Sequence, residues 1–326
     1  MRKLPFLLVI FCCIVHVNAN EGVKNLNKAK ILAGGDGMIF MRPLWSPDGT
    51  RIAFTEANYH GLWIINPDGS DIKQISDEPA AGFGFEWSSD SKAILSRVAK
   101  YEDKYRYNAV RLFDLEKDET KLITDYRSLM PGLPHWADGD SKIYMFGRGK
   151  LEIFQSGKEK NLLKKQNVNQ NMIFLKNDVI AVGNINSKQY KIHEPVKDQR
   201  YINLKISPDA SKIAFEVIGG NLFVMNIDGS DLIDFGRGHR PQWAPDNQYV
   251  VFMLTEDDGY RYLSSDIYTT KIDGSEKTRL TETENKLEMN PSWSPDGKSI
   301  TFDVMEEGAI YIIELNEKNN GLRKER

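Results

Sequence analysis

The residues best placed to do chemistry share one position in this chain. Arg42, Glu86, His135, His239, Arg240 and Asn290 each stand within a few residues ahead of a tryptophan: Trp45, Trp87, Trp136, Trp243 or Trp293. Guanidinium forks of this kind grip carboxylates in pairs of parallel hydrogen bonds, and a neighbouring carboxylate and imidazole add acceptors and a titratable donor. Two further triplets, Tyr105-Arg106-Tyr107 and Tyr260-Arg261-Tyr262, combine aromatic platforms with a cation between them. That pattern suits a glycan or a peptide carboxylate. It equally suits alternating strands in which each Tyr packs inward and Arg faces solvent, the simpler of the two readings. His60, His135 and His239 form an alternative set, since neutral imidazoles converging on one mouth would ligate a transition metal. They lack the fixed spacing of a ligand motif, so isolated polar residues explain them more simply; His193 receives no role. The chain has no nucleophile elbow, His-Glu-x-x-His, phosphate-binding glycine loop or EF-hand loop. No catalytic residue, cofactor or metal is therefore expected, and the ligand-binding candidates are Arg42, Glu86, His135, Arg240 and the two Tyr-Arg-Tyr triplets.

What positions these residues is a repeat. Trp45-Ser46-Pro47-Asp48-Gly49, Trp87-Ser88-Ser89-Asp90-Ser91, Trp136-Ala137-Asp138-Gly139, Ile206-Ser207-Pro208-Asp209-Ala210, Trp243-Ala244-Pro245-Asp246-Asn247 and Trp293-Ser294-Pro295-Asp296-Gly297 close a strand with the same turn. Proline presets φ, Asp or Ser bonds back to the backbone, and the last residue takes the left-handed position. An apolar strand follows, as in Ile52-Ala53-Phe54 or Ile213-Ala214-Phe215, then a third strand such as Leu222-Phe223-Val224-Met225. Asp68-Gly69-Ser70, Asp228-Gly229-Ser230 and Asp273-Gly274-Ser275 then make hairpin turns into a short fourth strand. Four antiparallel strands per unit of roughly 40–45 residues describe a propeller blade, which must stack on copies of itself to bury its faces. The fold class is all-β, a β-propeller.

Trp-Ser-Pro-Asp-Gly, then Ile-Ala-Phe, then a strand ending in Asp-Gly-Ser resembles the WD40-like repeat of the TolB propeller family, over nearly all of the chain after residue 40. The resemblance is to the propeller part; residues 20–40 are too short for the α/β domain that the family pattern places before its blades. Oligogalacturonate lyases resemble the chain in using related repeats, and their family holds a metal with histidines near the axis. Between Trp136 and Ile206, Ile143–Phe146, Leu151–Phe154 and Asn161–Leu163 read as strands completing one unit. Met172–Leu175, Val179–Val182 and Tyr190–Ile192 then read as a degenerate blade without turn signatures, giving seven; six blades with an insertion is the alternative. The last unit stops after three strands, and Lys30-Ile31-Leu32-Ala33 supplies the fourth, closing the ring.

Residues 1–19 read as a signal peptide, with Arg2 and Lys3 ahead of an apolar run and Val17-Asn18-Ala19 as a cleavage site. Residues 20–40 carry the closing strand, 41–316 the propeller and 317–326 a charged tail. Both cysteines, Cys12 and Cys13, leave with the signal, so the mature chain has no thiol chemistry. Its 41 Lys and Arg against 46 Asp and Glu leave a net charge of −5, which argues against nucleic acid. The expected protein is a periplasmic or secreted monomer without a transmembrane span. It binds a protein, peptide or glycan through the face bearing the loops between second and third strands, with a metal-assisted polysaccharide lyase as the alternative.

Overall fold

The computed structural model describes residues 29–34, 37–130, 132–159, 170–283 and 286–315. Seven antiparallel sheets follow one another around a ring, a seven-bladed β-propeller almost without helix. Blade 1 comprises Phe40–Trp45, Ile52–Glu56, His60–Ile65 and Lys73–Ser76, counted from the axis outward. Blade 2 follows with Glu86–Trp87, Ala93–Glu102, Tyr105–Asp114 and Glu119–Leu122. Blade 3 contributes His135–Ala137, Lys142–Gly147 and Lys150–Gln155, and blade 4 Asn171–Lys176, Val179–Asn184 and Tyr190–His193. The region read as a degenerate repeat is thus a sheet of its own, and the six-bladed alternative falls. The strand expected at Asn161–Leu163 lies outside the described residues.

Blade 5 is built from Tyr201–Ile206, Lys212–Val217, Asn221–Asn226 and Ile233–Arg237, and blade 6 from His239–Trp243, Tyr249–Asp257, Tyr262–Lys271 and Thr278–Arg279. Blade 7 takes Glu288–Trp293, Ser299–Val304 and Ala309–Glu314 from the end of the chain, and its outer strand, Lys30–Ala33, from the beginning. Lys30 lies opposite Ile312 and Ala33 opposite Ile310. Phe40 N–H also donates to the Gly308 carbonyl at 2.8 Å, so the first and last repeats are joined at more than one radius.

The repeated turn does what its residues dictate. Ser46 Oγ donates to Asp48 Oδ1 at 2.6 Å and accepts from Arg51 N–H at 3.0 Å, and Ser207–Asp209 and Ser294–Asp296 repeat the bond. The left-handed residue is Gly49 or Gly297 where glycine is available, but Ser91, Ala210 and Asn247 adopt it as well. The second strands bury Phe54, Phe215, Phe252 and Phe302 completely between sheets, which fixes their register because a one-residue slip would turn these rings to the opposite face.

Trp87, Trp136 and Trp243 tie neighbouring blades together, whereas the Nε1 of Trp45 and Trp293 has no hydrogen-bond partner among the described residues. Trp87 Nε1 donates to the Leu44 carbonyl of the preceding blade at 3.1 Å; Trp136 bonds Glu86 at 3.3 Å and Trp243 bonds Lys205 at 2.9 Å in the same way. A large ring packs between sheets while its N–H satisfies an inner-strand carbonyl of the neighbouring blade. Each such bond fixes the backbone of a residue next to the axis.

Candidate functional site

The inner strands enclose a central cavity of about 720 Å³. It reaches the face of the second-to-third-strand loops, since Arg148 and Gly149, between the second and third strands of blade 3, line it alongside the inter-blade residues Gly84 and Leu133. Arg42, Glu86, His135 and Arg240, chosen from the sequence, all line this one cavity, and so does Asn290. Lys205 lines it too and was missed. A signal for it exists: Lys205 precedes the turn of its repeat at the place Glu86 and His135 hold in theirs.

Four inner strands carry a non-glycine residue with positive φ at one equivalent point: Arg42 at 59°, Asn203 at 52°, Arg240 at 56° and Asn290 at 51°. In each strand the register slips immediately around that residue, the mark of a bulge. A left-handed non-glycine residue costs of order 1–3 kcal/mol, and such strain persists where the surroundings fix it. Two buried carboxylates do so. Glu216, 2% exposed, accepts from Asn203 Nδ2 at 2.8 Å and from the Arg240 N–H. Asp303, 3% exposed, accepts from Asn290 Nδ2 at 2.9 Å and from the Arg42 N–H at 2.8 Å.

The wall of the cavity is cationic. Burial, followed by the charge of Arg240, pushes the Arg42 guanidinium down to about 10, while Tyr59 and Asp303 oppose the shift. Arg42 lies over the Tyr59 ring at 5.4 Å, a cation–π contact. Burial also depresses the Lys205 ammonium; Glu86 counters this, and Arg42 and Arg240 add to it. Glu86 and His135 form a pair, Oε1 and Nδ1 2.7 Å apart. Burial alone would raise the Glu86 carboxyl, but His135 and then Lys205 outweigh it and hold the group below its ordinary value. Four cations, Arg42, Arg148, Lys205 and Arg240, against two carboxylates, Glu86 and Asp178, line the cavity and favour an incoming oxyanion.

The other candidates lie elsewhere. Blades 2 and 6 carry the longest hairpins, Ala93–Glu102 with Tyr105–Asp114 and Tyr249–Asp257 with Tyr262–Lys271, and the Tyr-Arg-Tyr triplets sit at their ends. Tyr105 is 70% exposed and Tyr260 99%, so these two rings are not packed between blades. Arg106 Nε donates to Asn108 Oδ1 at 3.0 Å, and Arg261 faces Asp258 at 3.7 Å. None of the six residues lines the cavity. The histidine set does not assemble: His60 is exposed, His135 pairs with Glu86, and His239 lies 3.2 Å from Glu216. Among the described residues no group of three or more His, Cys, Asp or Glu could hold a metal.

No family model matches the chain. Tol-Pal system protein TolB of Anaeromyxobacter dehalogenans (strain 2CP-C) is 41% identical over 46 residues, 14% of this chain and 11% of that protein's length. Among solved structures, putative TolB from Agrobacterium tumefaciens superposes with a TM-score of 0.55 at 17% identity, over 88% of this chain and 94% of that one. Oligogalacturonate lyase in complex with manganese superposes at 0.52 and 12% identity, covering 90% and 96%. At these identities the superpositions speak for the fold, while the short sequence match carries the same family's name. In repeat and in fold, the chain is a TolB-like β-propeller.

Proposed function

We propose that the protein is a non-enzymatic binding module that captures an oxyanion of its ligand, a side-chain or terminal carboxylate of a protein or peptide, in the central cavity. The observation that carries this reading is the convergence of Arg42, Lys205 and Arg240 from three blades on one partly desolvated space. A carboxylate seated there replaces the water lost by the cations and relieves their mutual repulsion. The exposed tyrosines on the two long hairpins supply rim contacts to the rest of the ligand.

Calorimetry with a capped hexaglutamate peptide, capped hexaglutamine and trigalacturonate tests the reading. Hexaglutamate binds, with affinity falling as salt rises, and hexaglutamine does not. Arg42→Ala, Lys205→Ala and Arg240→Ala each weaken binding about tenfold or more, the usual worth of a hydrogen bond to a charged group. Arg106→Ala and Arg261→Ala, on exposed hairpins, change it only a few-fold. Wild-type affinity in the three cavity variants would sink the proposal. Preference for trigalacturonate would move the ligand to an acidic glycan. The lyase alternative needs a metal set that His60, His135 and His239 do not build, and unsaturated uronate absorbance on polygalacturonate is expected to stay flat.

Export belongs to the same proposal. Among the described residues no helix is long and apolar enough to cross a membrane, and the segment read as a signal lies outside those residues. A mature chain beginning at Asn20 in the periplasmic or extracellular fraction, read by intact mass, is the expected product. A mass retaining Met1 would contradict it.

A further inference from the structure

The strand position that Glu216 and Asp303 occupy has a counterpart in other blades. Glu216 lies opposite Ile202 and Asp303 opposite Met289, each the residue ahead of a left-handed bulge residue; Met253 opposite His239 and Thr55 opposite Met41 stand at the same point in blades 6 and 1. The acids occur in blades 5 and 7. In both cases the bulge residue of the same blade is asparagine, Asn203 or Asn290, and the bulge residue of the next blade is arginine, Arg240 or Arg42. In both cases one carboxylate oxygen takes the asparagine amide of its own blade and the backbone N–H of the arginine beyond. The same asparagine–acid–arginine unit is therefore built twice, and both copies deliver a guanidinium to the central cavity.

An acceptor aimed at a backbone N–H selects a backbone conformation, not a side-chain contact. With the bulge held left-handed, the arginine side chain leaves the strand toward the axis instead of lying along the sheet face. The buried carboxylates also sit beneath the two cations, compensating charge that would otherwise be costly to bring together. Resting on the oxyanion-binding reading above, we propose that Glu216 and Asp303 are the positioning residues of the cavity, clamping Arg240 and Arg42 so that the two guanidiniums act as a pincer on a single oxyanion.

The fold itself names suitable variants. Glu216→Met and Asp303→Thr place at each site a residue the same strand position already holds in another blade, removing the buried carboxylate with little demand on packing. Crystal structures of the two variants test the clamp without any ligand. Arg240 in the first and Arg42 in the second are expected to leave the left-handed region and to withdraw from the cavity. Retention of φ near its present value, with the guanidinium still on the cavity wall, would overturn the proposal. Calorimetry with capped hexaglutamate then tests the consequence through a double-mutant cycle. Glu216→Met is expected to weaken binding about tenfold alone and to add nothing in an Arg240→Ala background; Asp303→Thr behaves likewise with Arg42→Ala. Losses that multiply in the double variants would mean the acids act by another route. If wild-type protein binds no hexaglutamate, the binding reading fails while the crystallographic arm still decides the clamp.

Discussion

A chain lacking the strand Lys30–Ala33 melts roughly 5 °C below the full-length protein, the shift expected when a domain of this size loses about 3 kcal/mol. The strand is the outer edge of blade 7, paired to Ala309–Glu314. Ala33 and Leu32 pack into a cluster with Phe40, Phe54, Ile65 and Ile310, so their removal exposes apolar surface on blades 7 and 1 together. Part of the lost burial is offset by chain entropy no longer spent on ordering the segment. The ring does not come apart, because Phe40 N–H to Gly308, Trp45 N–H to Ser292 Oγ and Arg42 N–H to Asp303 still join the first and last repeats nearer the axis. A point variant makes the same test. Gly34 has φ of +139°, and a Cβ there would stand 2.5 Å from Ala309 Cβ. Gly34→Ala therefore pries the closing strand from its neighbour and reproduces part of the shift in calorimetry. An unchanged melting temperature in both proteins would show that the closing strand adds nothing to stability.

Acidification from pH 8 to pH 5 makes the propeller more stable, by about 3–4 kcal/mol if both buried carboxyls shift as described next. Burial pushes Asp303 up to about 6 and Glu288 up to about 7, well above their values in an unfolded chain. In the window between the unfolded and folded values, the native state holds protons that the unfolded state has released. Stability therefore rises as pH falls through that window and is lowest above it, where both groups must ionise while buried. At Glu288 burial outweighs the hydrogen bonds from Thr281 and Thr283, which by themselves would lower the carboxyl. His193 acts in the opposite sense, since burial holds it below its ordinary value and an unfolded chain protonates first. The carboxylates of the repeated turns, Asp48, Asp209 and Asp296, are held below the ordinary range and act only in stronger acid, where their contribution is lost. Chemical denaturation across pH checks the sign. Asp303→Asn combined with Glu288→Gln is expected to flatten the profile between pH 5 and 8. A wild-type protein that loses stability steadily from pH 8 to 5 would refute the assignment.

The sequence by itself determined the fold, its repeat register and the closing of the ring. Each of these is written locally: turns need Pro, Asp and a residue tolerant of positive φ, strands need alternation, and a last unit short of one strand needs a partner from the other chain end. It also brought Arg42, Glu86, His135 and Arg240 to one mouth, because a residue at a fixed offset from the tryptophan falls at a fixed radius in every blade. Seven blades over six was harder to read, since blade 4 carries neither turn signature and is held by the burial of Met172, Ile180 and Ala181.

Only the tertiary structure decided which polar residues belong together. Nothing in the local pattern around Glu216 or Asp303 distinguishes them from a solvated strand residue. Their partners lie one blade onward, 24 residues along the chain from Glu216 to Arg240 and 261 back from Asp303 to Arg42. Lys205 owes its depressed ammonium to burial and to cations from blades 1 and 6, and the three histidines part company because His60 opens the exposed end of a third strand while His135 and His239 each pair with a carboxylate of the preceding blade. Hydrogen bonds between blades depend on how far one sheet is rotated against the next, a quantity set by the whole ring and encoded in no single repeat.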